Sequence, residues 1–332
     1  MARLVSGIVA GVLACGLVWT TALAKEEKET WGQIENKANC AVWGFPLDKG
    51  ETVAWTGECR DGKAEGKGVQ TWRGPTKDGK GWSNTFTGTM RGGKAHGEGY
   101  FDWGDGDFYK GGYKDGKKHG YGGVEFFDWM DGPGKYEGEF RNDKWHGKGK
   151  LTDEWGVYEG GFKDGNFHGR GVYKYDNGNR YEGEFKDDQE HGEGVFVWKD
   201  GARYEGSYKD GKMNGHGVIK YPNGNRYEGN YENGKRNGQG IFVWADGQTY
   251  TGSFKDGKFH GHAVMRWANG NKFEGTYKDD APAGRGTFMF PSGSECEGEW
   301  TGEYHLQGMG KGRSNGRYMK CYLEGKTIKY RN

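Results

Sequence analysis

The chain has 332 residues, of which 67 are glycine, 15% are aromatic and 29% are charged, with a formal net charge of +1. A net charge so close to zero excludes nucleic-acid binding by phosphate neutralisation and weakens the case for attraction to anionic lipid. Mean hydropathy is −1.03, but so many aromatic side chains are untypical of disorder. Glycine is far above its average usage without the collagen spacing, so a repeated fold is the simplest explanation.

The first 24 residues have the layout of a secretory signal peptide. Arg3 precedes an apolar run from Leu4 to Val18, which is short for a membrane-spanning helix, and a small-residue cleavage site ends at Ala24. Cleavage there leaves as many cationic as anionic side chains. A second interpretation makes Cys15 the lipidated residue of a lipoprotein, although the segment after it is apolar. The sequence therefore predicts export, to the periplasm or the medium, with a lipid anchor at Cys15 as the alternative.

From residue 55 onwards the chain repeats itself. The anchor of a Y-x-G motif, or its replacement, recurs every 23 residues at Tyr158, Tyr181, Tyr204, Tyr227, Tyr250, Phe273 and Cys296. Earlier copies begin at less regular intervals, at Trp55, Phe86, Tyr109 and Tyr136. Anchors in one register do not arise from composition alone, so the chain contains about eleven copies of one structural unit.

The residue pattern of each copy predicts two β-strands. In the copy that begins at Tyr181, alternate residues Tyr181, Gly183 and Phe185 share one face of the first strand. The second strand alternates in the same way. The turn within a copy is typified by Asp210-Gly211 and the turn to the next copy by Asn177-Gly178. Both dipeptides accept positive φ and are strong hairpin signals, so the repeat is a β-hairpin.

A glycine beside a ring leaves bare backbone, across which a neighbouring Tyr, Phe or Trp can lie. One hairpin is marginal alone, but stacked hairpins cover one another. The sequence thus predicts an all-β fold: an elongated, solenoid-like, single-sheet meander of about eleven β-hairpin repeats, with no catalytic domain. We divide it into a signal peptide at 1–24, an N-terminal segment and cap at 25–54, the repeat array at 55–312 and a C-terminal cap at 313–332.

The repeat resembles a known family. The segments YEGSYKDGKMNGHG from Tyr204 and YEGNYENGKRNGQG from Tyr227 are similar to the MORN (membrane occupation and recognition nexus) repeat. The resemblance runs from about Trp55 to Gly312 and implies hairpins with an aromatic-lined groove, used for scaffolding, oligomerisation or binding, with phospholipid contact in some members. Where members of this family are enzymes, the resemblance implies that an attached kinase or methyltransferase domain supplies the activity. We expect no such domain in this chain. The chain departs from the pattern in its irregular early copies and in Cys296, which replaces the last anchor.

Two of the irregular copies carry extra residues, in Gly74–Asn84 and Trp129–Gly134. Longer loops between repeats gather on one edge and often bind. A tolerated insertion is the simpler interpretation.

Four cysteines remain after cleavage: Cys40, Cys59, Cys296 and Cys321. An extended array keeps its ends farther apart than the Cα limit of about 7 Å for a disulfide, so pairs within each end are expected. Each disulfide would tie a terminal segment to the end hairpin, where an open edge needs protection. Zinc is the competing interpretation, but C-x-x-C spacing is missing. Disulfides fit an exported protein.

Six of the nine histidines share one repeat position: His96, His119, His146, His168, His191 and His260. Equivalent positions lie two strands apart, about 9.6 Å, which is too far for a shared metal ion. Asn214, Asn237 and Ala283 fill the same position in other copies. We expect a structural role, such as a hydrogen bond to the turn, before a glycine needed for close approach. No catalytic cluster, metal site or cofactor motif stands out from the repeat.

A row of aromatic residues recurs on the second strands and the turns after them: Tyr173, Tyr175, Phe196, Trp198, Tyr221, Phe242, Trp244 and Trp267. These rings are either the core of a thin sheet or a groove that binds a linear partner, such as a peptide, a glycan or an acyl chain. We predict a non-catalytic, exported binding or scaffold protein whose partner is a protein or an envelope polymer. The alternatives are a phospholipid membrane surface and a cell-envelope glycan. Open sheet edges also favour self-association.

Overall fold

The computed structural model of the protein describes residues 30–44, 47–75, 81–127, 132–302, 304–314, 317–324 and 327–331. The predicted signal peptide and Cys15 lie outside these residues, as do parts of the loops Gly74–Asn84 and Trp129–Gly134. Every regular element in the described ranges is a β-strand, so the prediction of an all-β hairpin meander is confirmed. No helix in these ranges is long and apolar enough to cross a membrane.

The described residues form 27 strands. In chain order they are β1 (Thr30–Gln33), β2 (Ala41–Gly44), β3 (Thr52–Trp55), β4 (Glu58–Arg60), β5 (Lys63–Gly74), β6 (Trp82–Arg91), β7 (Lys94–Asp102), β8 (Phe108–Lys114), β9 (Lys117–Phe126), β10 (Gly134–Arg141), β11 (Lys144–Asp153), β12 (Gly156–Lys163), β13 (Asn166–Tyr175), β14 (Arg180–Lys186), β15 (Gln189–Val197), β16 (Arg203–Lys209), β17 (Lys212–Lys220), β18 (Arg226–Glu232), β19 (Lys235–Val243), β20 (Thr249–Lys255), β21 (Lys258–Arg266), β22 (Lys272–Lys278), β23 (Ala281–Met289), β24 (Glu295–Thr301), β25 (His305–Ser314), β26 (Arg317–Glu324) and β27 (Thr327–Arg331).

The strands belong to two compact units. The first comprises Met1–Gly178 with Glu184–Gln189, and the second comprises Asn179–Gly183 with Glu190–Asn332. In the first unit each strand from β5 to β13 pairs antiparallel with the next. In the second unit the strands from β15 to β27 do the same. Each unit is therefore a meander of hairpins.

In every copy before the last, the turn within the copy is a two-residue hairpin loop. Between β16 and β17, Lys209 pairs with Lys212, and the residues between them, Asp210 and Gly211, have φ values of 49° and 73°. Asp and Gly tolerate this left-handed region, and two such residues in succession match the twist of the flanking strands. The Gly211 N–H also donates to the Glu190 carbonyl at 3.0 Å. The turn is therefore hydrogen-bonded to the preceding copy as well as to its own strands.

Most copies carry a bulge between this turn and a pair of facing glycines. Gly206 lies opposite Gly217, whereas two residues further along β16 Tyr208 lies opposite Met213, so β17 has extra residues at this point. Gly215 sits in the bulge with a φ of 93°. That left-handed conformation favours glycine. The first glycine of the G-x-G motif is therefore required by the backbone, rather than by the close approach expected from the sequence.

In the copies before the last, an anchor ring covers a pair of facing small residues, which are two glycines in most copies and Gly252 with Ala263 in the copy of Tyr250. Tyr204 is fully buried, and a Cβ on Gly217 would lie 2.5 Å from Cε2 of its ring. The hydroxyl donates to the Ser207 carbonyl at 3.1 Å. The ring meets Tyr208 and Tyr231 edge-on, with centroids 5.3 Å apart in both pairs. Rings laid over bare backbone thus form the core. The other buried anchors are Trp55, Phe86, Tyr109, Tyr136, Tyr158, Tyr181, Tyr227, Tyr250 and Phe273.

A disulfide takes the place of the anchor ring in the last copy. Cys296 occupies the anchor position and is bonded to Cys321, with a Cα–Cα distance of 6.0 Å. The bond joins β24 to β26 across β25, in which Gly312 faces Cys296 and Gly310 faces Cys321. A Cβ on Gly310 would lie 3.1 Å from Cys321 Sγ. The disulfide therefore crosses bare backbone, as the tyrosine rings do in other copies.

The second disulfide lies at the start of the first unit. It joins Cys40, just before β2, to Cys59 in β4, with a Cα–Cα distance of 6.0 Å. Strands β1 and β2 form a hairpin, and the Trp43 N–H donates to the Gly93 carbonyl at 2.8 Å. This hairpin is thereby tied to the turn between β6 and β7. Both disulfides have the pairing expected from the sequence.

Candidate functional site

The eight aromatic residues predicted to line a groove are divided between the two units. Tyr173 and Tyr175 belong to the first, where their rings stack with centroids 4.2 Å apart. The second unit contains Phe196, Trp198, Tyr221, Phe242, Trp244 and Trp267. Phe242 is buried, and the other seven are half-buried. Because the larger set keeps part of its surface open within one unit, it is the candidate site.

Four of these residues, which we call the rim rings, begin the turn between copies: Trp198, Tyr221, Trp244 and Trp267. Each turn is closed in the same way. The N–H of the rim residue donates to the carbonyl four residues on, and the N–H three residues on donates back to the rim carbonyl, at 2.9 to 3.0 Å. The glycine that makes this second bond has a φ between 84° and 91° in all four turns. Identical turns therefore present the rings in the same way along the unit.

The rim rings pack against aromatic residues of the second strands. Phe196 lies 4.7 Å from Trp198 between ring centroids, and Phe242 lies at the same distance from Trp244. Tyr221 is 6.5 Å from Phe242, with the rings tilted by 36°. Tyr221, Phe242 and Trp244 therefore form one continuous aromatic cluster, which is the centre of the candidate site.

Trp267 lies beside the turn between β24 and β25. Trp267 meets Tyr304 edge-on, with centroids 4.8 Å apart. Tyr304 adopts a φ of 60°, and its hydroxyl lies 2.9 Å from that of Tyr277. This contact covers one side of Trp267.

A further row of side chains was missed in the sequence. The second residue of each second strand is called here the stacking position, and in five copies its side chain lies against an anchor ring. Phe259 stacks on Tyr250 at 3.9 Å and 15°, and the Arg236 guanidinium carbon lies 5.5 Å from the Tyr227 ring centre. The stacking position always follows the turn at the same spacing, and this spacing is the signal that could have revealed the row. The residue type at the position varies from copy to copy. From β9 to β23 the residues at this position are Lys118, Trp145, Phe167, Glu190, Met213, Arg236, Phe259 and Pro282.

Arg236 supplies a positive charge among these rings. Its guanidinium carbon is 5.3 Å from the ring centres of both Phe242 and Phe254, and its Nη2 donates to the Gly257 carbonyl at 2.7 Å. Burial raises the pKa of the Tyr221 hydroxyl, and the charge of Arg236 opposes that rise. At neutral pH the centre of the site therefore contains a neutral phenol, indole and phenyl rings, and one cation.

Four of the six histidines at the shared repeat position, His96, His146, His168 and His191, lie beside an aspartate in the two-residue turn of the next copy. His191 Nδ1 is 3.8 Å from Asp210 Oδ1, and His168 Nδ1 is 3.7 Å from Asp187 Oδ1. In the part of the chain that the structure describes, no three or more His, Cys, Asp or Glu side chains are grouped to hold a metal. The side of the second unit that carries the rim rings, Phe242 and Arg236, which we call the ring-lined face, offers stacking, hydrogen bonding and charge pairing, which serve recognition.

Comparison with known proteins identifies the repeat. A family model described as MORN repeat matches residues 55–74, 86–108, 109–129, 136–157, 158–180, 181–203, 204–226, 227–249, 250–272 and 273–295, which is more than half of the chain. The copy counted from Cys296 lies outside the matched segments. No curated protein matches the sequence. Among solved structures, the SAS-4 (dCPAP) TCP domain in complex with a proline-rich motif of Ana2 (dSTIL), from Drosophila melanogaster, is 13% identical, with 53% of this chain and 90% of that chain covered and a TM-score of 0.32.

Proposed function

Because this chain belongs to the MORN repeat family, we propose that it is a non-catalytic binding module that holds a protein partner on the ring-lined face of its second unit. MORN repeats are modules associated with binding to proteins or membranes. The observation that carries the proposal is the row of four half-buried rim rings, presented by identical turns beside Phe242. Partly exposed aromatic rows of this kind are typical of interaction sites.

The proposal places the protein outside the cytoplasm. The protein contains two disulfides, and disulfides persist in oxidising compartments. A signal peptide at 1–24 would take the chain to such a compartment. Anchoring through a lipid on Cys15 is the alternative form of export. Fractionation of producing cells, with thiols alkylated before lysis, tests this part. A cytoplasmic protein with four free thiols in Cys40, Cys59, Cys296 and Cys321 would contradict it.

A photo-activated amino acid in place of Tyr221 tests the binding face. Lys220, the preceding residue, is exposed and points to the opposite side of the sheet, so it is the matched control position. In the producing cell we expect position 221 to form an adduct of defined mass with one protein, and position 220 to form none. The adduct is expected to disappear in a Trp244→Ala background. Equal crosslinking from both positions, or none from position 221, contradicts the proposal.

A phospholipid surface is the second candidate, because the outer face of the second unit carries a run of cations. Arg203 lies opposite Lys220, and Lys220 lies opposite Arg226. Glu205 pairs with Arg203 at 2.6 Å and Glu228 pairs with Arg226, so little net positive charge remains. Sedimentation with anionic and neutral vesicles at low salt distinguishes this candidate. The absence of binding to both rules it out.

A cell-envelope glycan is the third candidate, since aromatic rings also stack on sugars. Quenching of tryptophan fluorescence by purified wall polysaccharide would support it, and unchanged spectra would remove it. The non-catalytic part of the proposal has its own test. Hydrolase turnover by the purified protein that one point substitution abolishes would overturn it.

A further inference from the structure

We propose that the ring-lined face of the second unit binds a partner segment in the polyproline II conformation that carries an acidic side chain beside Arg236. This inference rests on the proposed function above and adds the backbone conformation and the charge of the partner. It combines three separate features of the face: the distance between copies, the hydrogen-bond donors of the rim rings, and the cation among the rings.

The distance between copies matches one turn of a polyproline II helix. Strand pairing places Ile219, Phe242 and Met265 at equivalent positions, two strands apart from one copy to the next. Two strand spacings amount to about 9.6 Å. A polyproline II helix completes one turn in three residues, with a rise of about 9.3 Å. Each turn of the partner therefore faces one copy, and the row from Trp198 to Trp267 faces about nine residues.

The rim rings supply donors that suit the carbonyl groups of such a helix. The indole N–H groups of Trp55 and Trp300 donate to backbone carbonyls. Within the described ranges, the indole N–H groups of Trp198, Trp244 and Trp267 have no acceptor, and they are not sealed from solvent. A polyproline II backbone has no internal hydrogen bonds, so its carbonyls are available. An acyl chain lacks acceptors along its length and would leave these donors unsatisfied.

The charge of the face requires an acidic partner. Arg236 lies among Phe242, Phe254 and other rings, donates to the Gly257 carbonyl, and forms no ion pair with a carboxylate in the part of the chain that the structure describes. Glu190, the other charged side chain at a stacking position of this unit, is 4% exposed and lies two copies away. A guanidinium partly shielded from water binds a carboxylate through charge-assisted hydrogen bonds. A neutral sugar polymer would leave this charge unmatched.

Binding of matched synthetic peptides tests the inference. The probe is a fluorescent peptide of four Pro-Pro-Glu triplets. A peptide of four Pro-Pro-Lys triplets reverses the charge, and one of four Gly-Gly-Glu triplets keeps the charge but not the conformation. Fluorescence anisotropy with the disulfide-bonded protein purified from producing cells gives each affinity. We expect the Pro-Pro-Glu peptide to bind at least tenfold more tightly than either control, and to shift the indole N–H resonances of the rim tryptophans in NMR spectra.

Three variants locate the site. Trp244→Phe keeps a ring but removes the indole donor, and we expect about fivefold weaker binding, the usual worth of one hydrogen bond. Arg236→Met keeps the stacking side chain but removes its charge, and it is expected to abolish the preference for Glu over Lys. Trp155→Phe is the matched control: Trp155 is 53% exposed in the first unit, and its replacement is expected to change nothing.

The outcomes separate this inference from the proposed function. Equal binding of the Pro-Pro-Glu and Pro-Pro-Lys peptides overturns the polyproline II inference, and so does equal binding of the Pro-Pro-Glu and Gly-Gly-Glu peptides. Either result leaves a peptide-binding face in place. Failure of all three peptides at millimolar concentration also overturns it, and a Tyr221 photo-adduct with a protein would then preserve the proposed function. Binding of a linear oligosaccharide in place of every peptide, with no protein adduct from position 221, overturns both.

Discussion

The ring of Tyr204 lies over Gly217 on the neighbouring strand, so closely that a Cβ on Gly217 would stand 2.5 Å from ring atom Cε2. The ring is fully buried, and its hydroxyl donates to the Ser207 carbonyl at 3.1 Å. Tyr208 and Tyr231 hold it edge-on from two sides. Ring and bare backbone therefore form one packing unit.

Substitution of the covered glycine is the first prediction. Gly217→Ala is expected to lower the free energy of unfolding by about 1–3 kcal/mol, because the added methyl group overpacks against a ring that Tyr208 and Tyr231 hold from two sides. Tyr204→Phe keeps the ring and is expected to lower it by about 1 kcal/mol, through loss of the hydroxyl bond to Ser207. Urea-induced unfolding followed by tryptophan fluorescence measures both changes.

Gly123→Ala is the matched control for this prediction. A Cβ on Gly123 would make an ordinary contact, 3.6 Å from Glu137 Cγ, and its φ is not in the left-handed region. We expect a change below about 1 kcal/mol. An equal loss of stability at Gly123 and Gly217 would show that the cost arises from replacing glycine as such, rather than from the ring above it.

The sequence predicted the anchors and turns because each has its own chemistry. Tyr204 recurs in register, and Asp210-Gly211 has the left-handed φ values that the dipeptide favours. Gly215 was misread because a G-x-G pattern does not tell which glycine serves the backbone and which lies under a ring. The stacking position was missed because Phe259 and Arg236 share no chemical class. What they share is the anchor ring beneath them, which becomes apparent once the strands are folded.

A buried amide leads to the second prediction. Gln70 is fully buried, opposite Trp55 on β3 and Phe86 on β6, and neither its side-chain nitrogen nor its oxygen has a hydrogen-bond partner in the described part of the chain. The equivalent positions of other copies carry apolar side chains such as Leu151 and Ile219. Gln70→Leu is therefore expected to raise the free energy of unfolding by about 1–3 kcal/mol.

Thermal unfolding measures the effect of this substitution. Gln70→Glu is the companion variant, and its buried charge is expected to lower stability markedly. A loss of stability in Gln70→Leu would instead mean that the amide has a partner, such as a bound water, that stabilises the native protein.

The third prediction concerns the disulfide that replaces the last anchor ring. Cys296 and Cys321 are separated by 25 residues in the sequence. Replacing both with serine is expected to lower the free energy of unfolding by about 3 kcal/mol, because a closed loop of this length restricts the unfolded chain. Chemical unfolding of the variant and of the native protein under oxidising conditions gives the difference. A double variant as stable as the native protein would contradict this expectation.

The fourth prediction concerns Asp188, which stands where most copies have the second turn glycine. Its φ is 68°, and Oδ1 accepts a hydrogen bond from the Phe167 N–H of the preceding copy at 2.7 Å. Burial raises the pKa of this carboxyl from 3.8 to about 6, although the bond from Phe167 opposes the rise. Between those two pH values the folded protein holds a proton that the unfolded chain has released. The contribution of Asp188 to stability therefore falls as pH rises from about 4 to about 6.

Asp188→Asn removes the charge and keeps both the acceptor oxygen and the tolerance for positive φ. We expect the variant to be more stable than the native protein by about 1–2 kcal/mol at pH 7.5, after allowance for solvent screening, and equally stable at pH 3.5. Urea unfolding at the two pH values measures the difference. Asp280→Asn is the control, because Asp280 makes the same bond to the Phe259 N–H from an exposed position and should gain much less. A gain at Asp188 that is the same at both pH values would locate the effect in the turn conformation, and the buried charge would then have no part in it.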